Sequence, residues 1–296
     1  MTQGTQSGVA AVPALKRPTW VRVLRLARAQ PMGAAGAMVV VLVGALAVAA
    51  PFLARYDPNQ VMPASRLAPP SAQHWFGADY LGRDVFSRVL YGARVSLLVG
   101  ISTVLVSTSV GLVLGVLSAY LGGKFDLIVQ RGVDILLSFP TLVMALALMV
   151  ALGRGVHTIV AALAIVNSPQ VIRAVRSVAL SVKAETYIEA ARAVGASDWR
   201  ILARHLAPNC LVPVIVLGTG NLGWAIVVEA SLSFLGVGVP PTVPSWGGML
   251  SGLTQRVIVV APWVVVFPGL ALSLTVLAVN LLGDSLRDIL DPRLKG

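Results

Sequence analysis

Charge is what this 296-residue chain has least of: 12% of its residues are charged, while 56% are hydrophobic. Soluble domains carry about 25% charged residues, so 23 basic and 12 acidic side chains are too few to clothe a water-facing surface. The class this leaves is an integral membrane protein. A single cysteine, Cys210, excludes a disulfide framework and any Cys-cluster metal site. Three histidines, His74, His157 and His205, lie far apart and offer neither a metal cluster nor a Ser-His protease pair. The chain also lacks an ATP-binding P-loop, because its one Gly-Lys pair, Gly123-Lys124, is followed by Phe125. Gly218 to Gly223 match G-x-G-x-x-G, but no acid stands at 238–248 to hold a ribose, and the stretch is embedded in an apolar run. Nothing reads as an enzyme, and no cofactor or metal is expected on this chain.

What is present is a series of uncharged runs: 29–54, 95–123, 135–153, 155–172, 205–228 and 257–283. A bilayer core needs about 20 apolar residues per helix. Runs apolar on every face exclude the short alternating strands of a barrel. Six transmembrane helices are expected, near 31–53, 95–118, 134–152, 156–172, 209–233 and 259–282. The stretch 230–255 is also uncharged, but Gly236, Gly238, Pro240, Pro241, Pro244, Gly247 and Gly248 favour a loop or re-entrant segment there. Gly111 and Gly115 in the second span suit close helix packing.

With the N-terminus inside, 16 of the 23 basic residues fall in cytoplasmic segments, so both termini are expected in the cytoplasm. Arg55, Arg66, Arg83, Arg88 and Arg94 lie on the other side in a long loop, where the charge rule is weaker. Ala47-Val48-Ala49 resembles a cleavage site, but the apolar core is longer than that of a signal peptide, so the first span is expected to be retained as an anchor. Trp20, Val23, Leu24 and Ala27, interleaved with arginines, form a basic amphipathic turn suited to the inner leaflet. The organisation is therefore a tail at 1–30, a first helix at 31–54, an extracytoplasmic loop with an interfacial helix at 55–94, a core of five helices at 95–283 and a tail at 284–296. Val85, Phe86, Val89 and Leu90 supply the apolar stripe of the interfacial helix, with Trp246 and Trp263 as aromatic anchors.

Two features stand out against this background. Glu229 is the one acid well inside a span, where a charge costs several kcal/mol unless paired or solvated. It must face protein or a cavity, and Asn167, Asn221 and Asn280 are the polar residues in the neighbouring spans. Hydrogen bonding between helices is preferred to a substrate or proton role. The second feature is the loop at 173–208, which holds Arg173, Arg176, Lys183, Arg192, Arg200 and Arg204. Tyr187, Ala190, Ala191 and Val194 recur at i, i+3, i+4, i+7, a shallow stripe flanked by Glu185, Glu189 and Arg192. Gly195 stops this helix and Ser197 caps another that opens with Asp198-Trp199-Arg200, giving a helix, glycine turn, helix. A shallow face of this kind seats deep in a partner's groove; the alternative is a helix resting on lipid.

Glu189-Ala190-Ala191, Gly195 and Pro208 resemble the EAA loop of binding-protein-dependent ABC transporter permeases. The family pattern has Ile and Leu where this chain has His205 and Ala207. Phe76 to Asp79, Leu81 to Arg88, Tyr91 to Arg94, Glu229 to Gly236, Pro244 to Gly247 and Asn280 to Asp284 further resemble the C-type permease of dipeptide and oligopeptide importers. The resemblance implies a type I ABC importer permease of a bacterial or archaeal inner membrane, importing short peptides. It implies a B-type permease partner, two ATP-binding subunits or a fused ATPase, and an extracytoplasmic binding protein. ATP and Mg would be bound by the ATPases, with no nucleic acid involved. It also implies that Tyr187, Glu189, Ala190, Ala191, Arg192, Gly195, Ala196, Arg200 and Arg204 form the ATPase-coupling surface. The same architecture serves nickel and small solutes such as glutathione, which is the runner-up. A stand-alone channel or ion-driven carrier is the alternative of a different class, and it would show inverted halves or a set of intramembrane ionisable residues.

Overall fold

The computed structural model describes residues 28, 30–252 and 256–290. The amphipathic segment expected around residue 20 and the C-terminal tail beyond residue 290 lie outside the described residues. Ten helices, α1 to α10, account for most of what is described, with one isolated antiparallel bridge, Ala78–Asp84. Among the described residues, five segments are each long and apolar enough to cross a membrane: α1 (Pro31–Leu53), α2 (Val85–Leu121), α5 (Val156–Lys183), α7 (Asp198–Ile201) with α8 (Ala207–Phe234), and α10 (Trp263–Leu290).

The sixth expected span, 134–152, is not one straight helix. It is divided between α3 (Gly123–Leu137) and α4 (Thr141–Leu152), which meet at 96° across Ser138-Phe139-Pro140 and are together long and apolar enough to count as a sixth, broken span or a re-entrant loop. Pro140 has no N–H to continue the ladder and disfavours helical φ/ψ at Phe139. The 12-residue α4 is about 18 Å long, short of the roughly 30 Å of a bilayer core. α3 is held alongside α5 because Asp126 and Asp134 sit two turns apart on one face. Asp126 accepts from Arg176 Nε at 2.6 Å and Nη2 at 2.5 Å, and Asp134 accepts from Arg173 Nη2 at 2.5 Å.

A second difference concerns the expected interfacial helix. α2 begins at Val85, where the Asp84 carboxylate accepts the Ser87 N–H at 2.8 Å, and runs without a break to Leu121. Its 37 residues span about 55 Å. The apolar stripe at its start turns toward protein: Val85 packs with Met249, Ala261 and Val264. Trp246 and Trp263 are likewise structural rather than lipid anchors, since their indoles donate to Val89 O at 3.0 Å and Ala78 O at 3.1 Å.

Small residues decide how the helices approach. A Cβ on Gly111 would lie 2.4 Å from Val171 Cγ1, and one on Gly115 would lie 2.8 Å from Val175 Cβ, so α2 rests directly on α5. Gly33 and Gly36 seat α1 against Ser285 and Ala278 of α10 in the same way. Pro169, Pro213 and Pro268 sit inside helices without ending them. Ahead of Pro208, the short α7 (Asp198–Ile201) continues through a π turn, Leu202–Leu206, into α8 (Ala207–Phe234). One end of the bundle therefore carries the start of α1, the end of α10 and the short α6 (Thr186–Ala193). The other carries the loop 54–84 and residues 235–252 and 256–262, with α9 (Trp246–Met249) among them.

Candidate functional site

At the α6 end, helix geometry follows local chemistry. Glu189 in the first turn and Arg192 in the last complement the helix dipole of α6. The helix closes with Gly195 N–H donating to Arg192 O at 2.9 Å and Ala196 N–H donating to Ala191 O at 3.0 Å, the paired bonds of a Schellman ending. That ending needs a left-handed residue, and Gly195 supplies it at φ +82°. Ser197 then caps α7, its hydroxyl accepting from Arg200 N–H at 3.4 Å. The helix, glycine turn, helix is thus present.

The expected surface residues divide by exposure. Tyr187, Glu189, Ala190, Arg192, Gly195, Arg200 and Arg204 are exposed, as is Val194 at 85%, while Ala191 and Ala196 are half-buried. Trp199 adds an indole that is 76% exposed. The unit is anchored by residues the periodicity argument passed over. Ile188 and Ile201 are fully buried in a cluster with Val116, Tyr120, Val175, Ala179, Leu206 and Cys210. Ile188 is the one large aliphatic residue inside α6, which was the signal available. Three further ties reach the end of α2. Tyr120 OH donates to the Asp198 carboxylate. Arg192 lies over the Tyr120 ring at 5.5 Å. Lys183 Nζ donates to the carbonyls of Ala119 at 3.0 Å and Tyr120 at 2.8 Å, satisfying the end of that helix. The apolar stripe faces outward, and α6–α7 is tied to α2 and α5 by these contacts.

Glu229 on α8 is fully buried, and its carboxylate accepts from Ser96 on α2 at 3.0 Å and from Ser233 at 2.8 Å. Asn167 on α5 is also buried and donates to Ser107 on α2 at 2.9 Å. Asn221 is half-buried on α8, and Asn280 is exposed with its carboxamide against Gly223. The three polar residues named with Glu229 do not form one site with it: its partners are the serines, which sequence reasoning missed because serines are unremarkable in apolar helices. No group of three His, Cys, Asp or Glu able to hold a metal ion occurs among the described residues.

At the opposite end the loop 54–84 is tied by its charges. Asp79 accepts from Leu81 N–H at 2.8 Å, Arg83 N–H at 3.0 Å and Arg83 Nε at 2.7 Å. Arg88 Nη1 donates to Pro58 O at 2.9 Å, and buried His74 pairs with Asp84 at 2.9 Å. Arg83 and Arg88, which oppose the charge rule, are thereby spent on structure.

Residues 111–296 match the family model described as binding-protein-dependent transport system inner membrane component. Residues 19–70 match the N-terminal TM domain of oligopeptide transport permease C. The glutathione transport system permease protein GsiD of Pectobacterium atrosepticum is 45% identical over 280 residues, covering 94% of this chain and 91% of that protein. GsiD proteins of Escherichia coli and Shigella sonnei are each 43% identical over 296 residues, covering 98% of this chain and 97% of theirs. An all-helical bundle with a short helix pair at one end, matched over more than half its length by one family and over nearly all of it by these relatives, is a multi-pass, non-catalytic permease. The chain belongs to the family of binding-protein-dependent transport system inner membrane components of ABC importers.

Proposed function

We propose that this chain forms half of the translocation pathway of an ATP-driven importer of glutathione. The carrying observation is the near-full-length similarity to glutathione transport permeases. It favours the glutathione alternative over the broader di- and oligopeptide reading. Glutathione is itself a short peptide, so the two differ in specificity and not in architecture.

The α6 end faces the cytoplasm in this reading, consistent with its arginines and lysine. Its exposed face, with Tyr187, Glu189, Ala190 and Val194, seats in a cytoplasmic ATPase, and Arg192, Arg200 and Arg204 set the register. ATP and Mg are bound by those subunits. A second permease completes the pathway, and a binding protein delivers substrate at the opposite end. ATP binding moves α6–α7, and the burial of Ile188 and Ile201 together with the Tyr120 bond to Asp198 carries that motion into α2 and α5. The bundle then shifts between two packings.

The test is uptake by the reconstituted transporter, with labelled glutathione and labelled dipeptide in competition. Saturable glutathione uptake that excess dipeptide does not suppress supports the reading. Saturable dipeptide uptake with no glutathione uptake overturns the substrate assignment and leaves the architecture.

A further inference from the structure

We propose that Glu229 is a positioning residue that clamps the 235–250 segment to α2, so that movement of the coupling unit reaches that segment through one rigid helix. The proposal rests on the permease reading for its transport consequence and on geometry for the clamp.

Glu229 lies near the end of α8, and its two carboxylate oxygens have separate duties. Oε2 accepts from Ser96 on α2 at 3.0 Å, and Oε1 accepts from Ser233 at 2.8 Å. Ser233 Oγ in turn accepts the Val239 N–H at 3.3 Å. The direction of this chain is fixed: a hydroxyl that accepts an amide must send its own proton onward, and the carboxylate takes both hydroxyl protons. The 235–250 segment is thus joined to α2 through Ser233 and Glu229.

Packing around the clamp is close. A Cβ on Gly238 would lie 2.4 Å from Ser233 Oγ, and one on Gly247 would lie 2.3 Å from Ala230 O. Trp246, 1% exposed, packs with Ala47 of α1 and Ala93 of α2 and donates to Val89 O at 3.0 Å. A Cβ on Gly92 would lie 3.0 Å from its Cδ1. Val89, Gly92 and Ser96 are successive turns of α2, the helix whose far end holds Tyr120 against Asp198. α2 has no proline and no break between these points, so a displacement of α6–α7 meets no hinge before it reaches Trp246 and Val239.

The substitutions that separate roles are Glu229→Leu and Glu229→Gln. Leucine fills a similar volume and is favoured in an apolar span, so the chain still inserts, but it accepts no hydrogen bond. Glutamine keeps one acceptor: with its carbonyl toward Ser233 the bond to Val239 survives, and Ser96 only reverses its hydroxyl. The experiment measures amide exchange across 236–250 in the assembled transporter, with ATP hydrolysis and uptake on the same preparation. The expected result is exchange at least about tenfold faster in Glu229→Leu, since the acceptor that holds Ser233 and Ser96 is lost. Exchange at 99–118 should be unchanged, ATP hydrolysis retained and uptake reduced by a similar factor, with Glu229→Gln close to the parent in all of these. Unchanged exchange at 236–250 in Glu229→Leu would refute the clamp. So would faster exchange with full uptake, or loss of uptake in Glu229→Gln with unchanged exchange, which would assign the carboxylate a substrate or proton role. Because exchange is read on the chain itself, a parent transporter that ignores glutathione would sink the substrate assignment and leave this test intact.

Discussion

Replacing Ile188 with alanine tests how the exposed helix α6 is held. Ile188 is fully buried, while its neighbours on α6 face outward or sit half-buried. The substitution removes three carbons, worth about 0.8 kcal/mol each in transfer, and leaves a cavity in the cluster with Ile201 and Leu206. Such truncations cost about 2–5 kcal/mol. An eight-residue helix has little stability of its own, so the loss falls on its attachment. About 3 kcal/mol raises the detached fraction on the order of a hundredfold. Amide exchange over 186–193 in the assembled transporter should accelerate by that order, and uptake per ATP hydrolysed should fall with it. Val194→Ala, on the exposed face, should leave exchange unaltered. Exchange in Ile188→Ala within twofold of the parent would show that α6 is held by something other than this buried side chain.

Other perturbations follow from the same packing. Gly111→Ile drives a branched side chain into Val171 and should cost about 1–3 kcal/mol, read as a lower thermal midpoint that Val171→Ala partly restores. Asp84→Ala removes the α2 cap, worth about 1–2 kcal/mol, and strips His74 of its partner. Faster proteolytic nicking within 54–84 is the expected readout. Gly195→Val forces a β-branched residue to φ +82° and should lower uptake per ATP severalfold in a chain that still inserts. Gly195→Asn, which tolerates that conformation, should largely preserve coupling.

The sequence disclosed those features that rest on composition or local chemistry. Five of the spans follow from runs without charge, and the α6–α7 unit follows from Gly195 and Ser197, whose roles are set within a few residues. Gly111 and Gly115 were legible as a close-approach face because spacing alone puts them one turn apart. What stayed hidden depends on which neighbour an apolar surface meets. In the uncharged run at 135–153 Pro140 is the signal of a break, but the run does not say which way α3 turns; the contacts of Asp126 and Asp134 with α5 do. Trp246 and Trp263 carry the signature of interfacial anchors, yet their indoles find backbone carbonyls inside the protein. Ile188, Tyr120 and Ser96 act through partners far away in sequence, Asp198 and Glu229 among them, and no periodicity links such pairs.

The central claim is that α6 presents its exposed face to a separate ATPase. Purification of the chain from its native membrane in mild detergent, with and without Glu189→Lys, tests it most directly. The account predicts a second permease and an ATPase with the parent chain, and loss of the ATPase alone from the variant. A folded chain that transports without any ATPase, or a variant that retains the ATPase at parental stoichiometry, would contradict it.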